Sequence, residues 1–178
     1  LYERLTGEEY LHFAGRMYGL PLEEARRRAA DLLDLMELTE AKDKLIVGSF
    51  GNNRKENAHF LEIARYFKGD VHFVIRTDKR YGYFFGRKRI TVLKDRLTED
   101  EKMSLMKCFD IFLYPTSNEA YGMVFLEAMS QKVPIITYDD SANKEVADGG
   151  GLFAKLNDKK GMMALLERLA KDPAERAA

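Results

Sequence analysis

From residue 44 onward the sequence alternates short apolar runs with longer stretches of helical periodicity, and this alternation constrains the fold more than any other feature. Each apolar run has the length of a strand, and polar or glycine-containing loops separate it from the next helical stretch. The runs predict six strands, at residues 45–48, 71–75, 90–93, 110–114, 133–137 and 151–154. Strands that alternate with helices form parallel sheets covered on both faces, so we expect a doubly wound α/β domain over residues 43–178.

The first 42 residues have a different pattern. Thr6 and Glu9 have the spacing of a capping box and precede apolar residues at helical spacing. The Gly-Leu-Pro sequence at residues 19–21 ends this helix and begins a second one, which runs to about Met36. We therefore expect an N-terminal helical hairpin over residues 1–42. It carries no visible chemistry of its own.

Composition excludes several classes of protein. The 29 Lys and Arg residues balance 29 Asp and Glu residues, so the net charge gives no reason to expect a nucleic-acid partner. The single cysteine, Cys108, excludes an internal disulfide, and its apolar neighbours predict a buried thiol. No apolar run is as long as a membrane span and no secretory signal is recognisable, so we expect a cytoplasmic protein. Peripheral association with a membrane is not readable from the sequence. The chain begins at Leu1 inside a helical pattern, which is typical of a fragment.

The segment 110–134 carries the candidate functional residues. Its apolar strand ends at Pro115, a polar loop containing Glu119 follows, and a helix opens at Gly122 with Glu127 about a turn and a half inside it. In open α/β sheets, ligands bind beyond the carboxyl ends of strands, where helix amino termini present N–H groups to anions. The two carboxylates lie eight positions apart. They could contact different hydroxyl groups of one extended ligand whose phosphates face the helix.

This segment resembles the E-x7-E motif of the family 4 retaining glycosyltransferases, which have the two-Rossmann-domain (GT-B) architecture. Members of that family read as a strand, P-S, E-G-F-G-L-V-x-L-E-A-M and then P-V-I. The corresponding residues here are Pro115-Thr-Ser, the sequence EAYGMVFLEAM at residues 119–129, and Pro134-Ile-Ile. The order of elements over residues 44–178 is similar to the C-terminal, nucleotide-sugar-binding half of these enzymes.

The resemblance implies a role for each matching residue. Glu119 corresponds to the family glutamate that meets the transferred sugar, and it is the candidate catalytic residue. Glu127 corresponds to the glutamate that binds the ribose hydroxyls of the donor. Tyr121, Gly122 and Met123 belong to the helix start that faces the donor diphosphate. Because the helix end and nearby cations neutralise the diphosphate in GT-B enzymes, the resemblance implies no metal and no cofactor, and the nucleotide-sugar is a substrate.

The sequence departs from the family at several positions. The family arginine at the end of the first strand is Ser49 here, so one diphosphate cation is lost, and Arg54 or Lys55 occupies the position of the family lysine. Other residues replace the usual glycines at three positions, Lys132, Ser141 and Ala142. These differences bear on the affinity for a donor and leave the predicted fold unchanged.

Residues 1–45 resemble a second family, the ABC-transporter ATPases, over the helical subdomain that leads into the signature motif S-G-G. Here residues 47–50, Val-Gly-Ser-Phe, are followed by Gly-Asn-Asn, so the signature motif is absent. The sequence also has no G-x-x-x-x-G-K-[ST] phosphate-binding loop. The resemblance therefore implies no hydrolysis of ATP.

Two functional hypotheses follow. In the first, the chain is the donor-binding domain of a retaining glycosyltransferase, and it is incomplete as a catalyst without an acceptor-binding Rossmann domain elsewhere. Alone it would be poorly active, and its partners would be a nucleotide-sugar and an acceptor whose identity cannot be read. In the second, the chain is a non-catalytic α/β module, a natural fusion or an assembled chimera, whose hairpin packs or recruits a partner.

Overall fold

The computed structural model describes residues 44–51, 54–77, 89–93, 97–117 and 121–176, together with a few positions between 21 and 30. Five of those isolated positions are helical. Four of them form two ion pairs, Glu23–Arg26 and Glu24–Arg27, each between residues three positions apart. The rest of the predicted hairpin lies outside the described residues, and so does the candidate catalytic residue Glu119.

A six-stranded, fully parallel sheet forms the centre of the described structure. Its strands are β1 (Leu45–Gly51), β2 (Val71–Thr77), β3 (Ile90–Leu93), β4 (Ile111–Tyr114), β5 (Ile135–Tyr138) and β6 (Gly151–Ala154). They lie in the order β3-β2-β1-β4-β5-β6. This is the order of dinucleotide-binding folds, which reverses direction between β1 and β4. The predicted doubly wound α/β fold is confirmed.

From residue 44 onward, six helices of the described residues connect and flank the strands. They are α1 (Arg54–Tyr66), α2 (Glu99–Lys107), α3 (Met123–Ser130), α4 (Ser141–Ala147), α5 (Lys159–Lys171) and α6 (Pro173–Arg176). One face of the sheet packs on α1 and α5 around Phe60, Phe73 and Leu166. The other packs on α2, α3 and α4 around Phe109, Phe112 and Phe125. Because both faces are covered, the strands carry near-continuous apolar runs, as the sequence shows.

The sequence predicts a helix cap at residues 98–101 and another at Asn157 or Asp158, and side chains form caps at both places. Thr98 and Glu101 form a reciprocal capping box at α2, with Glu101 N–H to Thr98 Oγ1 at 3.2 Å and Thr98 N–H to Glu101 Oε2 at 2.8 Å. Asp158 caps α5 by accepting from Gly161 N–H at 2.9 Å. These bonds satisfy N–H groups that have no partner within the helix.

The first strand is longer than the apolar pattern indicates. β1 continues through Ser49 to Gly51, because it pairs with β2 along its whole length, from Leu45 with Val71 to Gly51 with Thr77. The sequence pattern predicts a loop at residues 51–53, Gly-Asn-Asn, and for Gly51 this prediction is wrong. Backbone pairing with β2 extends β1 beyond its apolar run, because hydrogen bonds between strands do not depend on apolar side chains.

Arg89 corrects another expectation. The sequence context of the basic residues 87–89 predicts a solvated loop. The Arg89 guanidinium instead donates to Phe67 O at 3.0 Å and Gly69 O at 2.8 Å. It also lies over the ring of Phe73 at 5.6 Å from the centroid. Arg89 thus ties the start of β3 to the carboxyl end of α1. Burial of Cys108 is confirmed.

Candidate functional site

The carboxyl ends of β1 and β4 define the candidate site. These strands are neighbours, and β1 leads into α1 while β4 leads into α3, so both helices begin at the same edge of the sheet. The edge lies where the strand order reverses, which is the ligand crevice of open α/β sheets. The sheet topology therefore brings the start of α3 close to the start of α1, as the sequence analysis requires.

Gly122 shapes the turn into α3. It is the N-cap residue and has φ 59° and ψ 23°, a left-handed conformation that favours glycine. A Cβ added there would lie 2.9 Å from Val146 Cγ1 on α4 and 3.1 Å from Phe125 Cδ2. No side chain of the described residues caps α3, in contrast with α2 and α5. A helix amino terminus can present its first N–H groups to an anionic ligand.

Two exposed side chains flank this helix start. Tyr121 is 82% exposed and Met123 is 59% exposed. Both side chains therefore present apolar surface to solvent beside the start of α3. Both residues were predicted to bind the donor, and both lie where a ligand at the start of α3 could contact them.

Glu127 forms an ion pair across two helices. Lys102 Nζ on α2 donates to Glu127 Oε1 on α3 at 2.8 Å, and the side chains are only 24% and 20% exposed. The same ammonium group contacts Glu99 Oε2 at 2.7 Å. Burial lowers the pKa of Lys102, but hydrogen bonds and charge interactions with Glu127 and Glu99 outweigh it and raise the pKa overall. Sequence reasoning missed Lys102, which lies 25 positions from its partner.

A second network anchors the loop that follows β4. Thr116 Oγ1 donates to Glu56 Oε1 on α1 at 2.7 Å. The buried Asn143 on α4 donates to Thr116 O at 2.9 Å and lies within hydrogen-bonding distance of Thr137 Oγ1 and Tyr138 O. The loop that leads to Glu119 is thus held from both faces of the sheet. No local sequence pattern marks Glu56 or Asn143 for this role.

Of the two cationic residues predicted to contact the diphosphate, the structure describes the side chain of one, Lys55. Lys55 is exposed in the first turn of α1, at the candidate edge, and Arg54 begins that helix, although its side chain lies outside the described residues. Ser49, which replaces the family arginine, is buried inside β1 rather than exposed at its end. Among the described residues, the cationic contribution from the β1–α1 connection therefore comes from Lys55.

The histidines of the described residues have structural partners. His59 Nδ1 lies 3.0 Å from Tyr138 Oη, and His72 Nε2 lies 2.9 Å from Thr91 Oγ1. Burial and the neighbouring Lys159 and Lys55 ammonium groups lower the pKa of His59. Within the described ranges no three His, Cys, Asp or Glu residues form a group that could hold a metal ion.

A cavity in the described part of the chain lies away from the candidate site. It has a volume of about 540 Å³ and opens at the amino ends of β5 and β6, where Val133, Pro134, Leu152, Leu169 and Arg176 contribute to its lining. No helix in the described part of the chain is long and apolar enough to cross a membrane.

The sequence profile of the family described as "Glycosyl transferases group 1" matches residues 85–178, which is 94 of the 178 residues. The chain belongs to this family. The match includes the segment 110–134 and the whole of α3. Together with the sheet, it identifies the α/β domain as the C-terminal domain of a GT-B glycosyltransferase, as the sequence analysis predicts.

Solved structures agree on the fold. The C-terminal domain of a glycosyl transferase group 1 family protein from Francisella tularensis superposes with a TM-score of 0.61 at 23% identity, covering 75% of this chain and 78% of that one. An α,α-trehalose-phosphate synthase from Burkholderia vietnamiensis gives 0.65 at 16% identity over 97% of this chain and 45% of that one. TarM of S. aureus gives 0.64 at 16% identity over 75% of this chain and 30% of that one.

A curated relative of this chain belongs to a different class of protein. The linearmycin resistance ATP-binding protein LnrL of Bacillus subtilis is 50% identical over 58 residues, which is 32% of this chain and 19% of that protein. The chain thus spans about a fifth of the length of this curated relative. The name of this relative describes an ATP-binding protein, and the match covers too little of it to represent a complete ATPase.

Proposed function

We propose that this chain binds the nucleotide-sugar donor of a retaining glycosyltransferase at the carboxyl ends of β1 and β4. The observation that carries the proposal is the start of α3 at Gly122, which no side chain of the described residues caps, with the carboxylate of Glu127 on the same helix. The N–H groups of a helix amino terminus favour a diphosphate, and a carboxylate accepts hydrogen bonds from ribose hydroxyls. Both groups lie where α/β sheets bind ligands.

Each predicted site residue has a part in this proposal. Lys55, with Arg54 beside it, adds positive charge for the diphosphate, and Tyr121 and Met123 contact the donor beside the helix start. The catalytic part belongs to Glu119, which precedes the amino terminus of α3. There its carboxylate would stabilise positive charge on the anomeric carbon while the N–H groups of α3 stabilise the departing diphosphate.

Relatives with the same fold suggest which ligands to test first. The S. aureus TarM structure contains UDP, and the E. coli trehalose-6-phosphate protein contains UDP-2-fluoro glucose. Uridine diphosphate is therefore the first candidate ligand, with guanosine and adenosine diphosphates beside it because base preference leaves little trace in side chains. The acceptor and the transferred sugar stay open.

Calorimetry tests the binding proposal. Replacing Glu127 by Ala removes a charged hydrogen-bond acceptor and should weaken nucleotide binding by about 1–3 kcal/mol, or roughly 5- to 150-fold in Kd. Glu167→Ala is the matched control, because Glu167 is an exposed helix glutamate paired with Lys171 on α5, away from the candidate edge. Absence of binding heat with all three diphosphates at millimolar concentration would disprove the proposal.

We further propose that turnover requires a second domain. The front-face mechanism that the family resemblance implies needs an acceptor held opposite the donor, and the described residues form only the donor half of such a cleft. We expect slow hydrolysis of a nucleotide-sugar at most. Radiolabelled donors with a panel of sugar, lipid and glycoside acceptors test this expectation. Robust transfer by residues 1–178 that disappears in Glu119→Ala would contradict it.

A non-catalytic module is the second candidate. The burial of Ser49 at the position of the family arginine favours it, because the lost cation weakens the diphosphate site. In that case the N-terminal residues 1–42 serve packing or partner recruitment. The same calorimetry separates the two candidates, since a module that has lost its donor site binds none of the three diphosphates.

A further inference from the structure

We propose that Lys102 is a positioning residue that makes the donor site treat the two ribose hydroxyls unequally, by holding one oxygen of the Glu127 carboxylate. The inference rests on the proposed donor site and adds a residue that the family motif does not contain. It concerns how Glu127 presents its two oxygens to a ligand rather than whether Glu127 binds one.

The geometry fixes the Glu127 carboxylate from one side. Lys102 Nζ donates to Glu127 Oε1 at 2.8 Å, and both side chains are largely removed from solvent. Hydrogen bonds between charged groups of this length are among the stronger ones in proteins. Because the ammonium group also contacts Glu99 Oε2 at 2.7 Å, it is held by two carboxylates and has little freedom to move away from Glu127.

The start of α2 is itself firmly placed. The capping box of Thr98 and Glu101 fixes the first turn of this helix, and Lys102 is the next residue along the chain. On the same helix, Leu105 and Met106 are buried in the core that α2 shares with α3. The distance between the two charged groups is therefore set by packed helices rather than by a flexible loop.

An unpaired carboxylate can accept from two neighbouring hydroxyls through its two oxygens, as it does from the two donors of an arginine. In this site the Lys102 ammonium holds Oε1 and fixes the plane of the carboxylate. One ribose hydroxyl then bonds to Oε2, and the second shares Oε1 with the ammonium group, in the one lone-pair position that Lys102 leaves open there. The two hydroxyls thus contribute differently to the affinity.

Deoxynucleotides measure this difference. The nucleoside diphosphate with the highest affinity among those of uridine, guanosine and adenosine is compared with its 2′-deoxy and 3′-deoxy forms. In the wild-type protein we expect one deoxy form to bind at least roughly tenfold more weakly than the other, since a charged hydrogen bond contributes that much. In Lys102→Met, which frees Oε1, we expect the two deoxy forms to bind within about threefold of each other.

Lys107→Met is the matched control, because Lys107 is an exposed lysine at the other end of α2. It should keep the wild-type difference between the deoxy forms. If Lys102→Met does not fold, as judged by circular dichroism, Lys102→Gln removes the charge while keeping a polar side chain and serves in its place.

The possible outcomes are distinct. Equal binding of the two deoxy forms by the wild-type protein overturns the inference without any variant. An unchanged difference in the Lys102 variant also overturns it and leaves Lys102 as a bridge between two helices, which would affect the melting temperature alone. If the wild-type protein binds none of the diphosphates, the proposed function fails and this inference fails with it.

Discussion

At the residue scale, Gly122 combines two constraints that can be separated by mutation. Its φ of 59° is unfavourable for other residues, and a Cβ would approach Val146 Cγ1 to 2.9 Å. Gly149 has a φ of 80° but nothing within 4 Å of an added Cβ. Gly149→Ala should therefore cost about 1–2 kcal/mol of unfolding free energy from the backbone alone, and Gly122→Ala should cost more. Urea unfolding measures the free energy of unfolding of both variants. Equal losses would show that α4 shifts enough to make room for the extra methyl group.

Cys108 is the residue whose ionisation should couple most clearly to stability. Burial, and then the charge of Asp110, raises the pKa of its thiol to about 11 from an ordinary 9.0. Because the folded-state pKa is the higher one, the stabilisation is complete below pH 9 and is lost as pH rises through 11. Raising the thiol pKa from 9.0 to about 11 corresponds to roughly 2–3 kcal/mol of unfolding free energy.

Chemical denaturation at pH 8 and pH 11 tests this coupling against Cys108→Ala as the control. Tyr138, whose pKa burial and then Glu62 and Asp158 raise to about 12, contributes equally to both proteins. The wild-type protein should lose more stability between the two pH values than the variant does. The native thiol should also resist a thiol reagent at pH 8 until the protein is unfolded. Rapid modification of the folded protein would contradict the burial of Cys108.

At the element scale, Arg89 joins the end of α1 to the start of β3. Its planar guanidinium reaches two carbonyls, those of Phe67 and Gly69, which a lysine cannot satisfy with the same geometry. Arg89→Lys should lower the unfolding free energy by about 1–3 kcal/mol, because one carbonyl loses its donor. Arg65→Lys is the control, since Arg65 is exposed and contacts only the ring of Tyr66 in the described residues. A loss no greater than that of the control would show that Arg89 contributes no more to stability than a solvated loop residue, as its sequence context suggests.

At the scale of the whole molecule, the N-terminal residues 1–42 form the segment whose removal is most informative. The sequence predicts two amphipathic helices there, each with one apolar stripe. Such a hairpin has too little core to be stable alone, so we expect its stripes to pack against the α/β domain or another chain. Deleting residues 1–42 should lower the melting temperature or expose an apolar surface that drives association. Differential scanning calorimetry and light scattering on both proteins measure these effects. An unchanged melting curve and a monodisperse truncated protein would show that the segment is a passive appendage.

The sequence by itself determined the class of fold, the six strands, the capped starts of α2 and α5, and the helix that opens at Gly122. These features depend on residues within one or two turns or one strand of each other, so periodicity and capping patterns record them. The tertiary structure alone decided the extension of β1 through Ser49, the contact of Lys102 with Glu127 and the contact of Arg89 with α1. Those contacts join residues that are far apart in the chain, and their distances depend on how helices pack on a shared sheet, which no local pattern encodes.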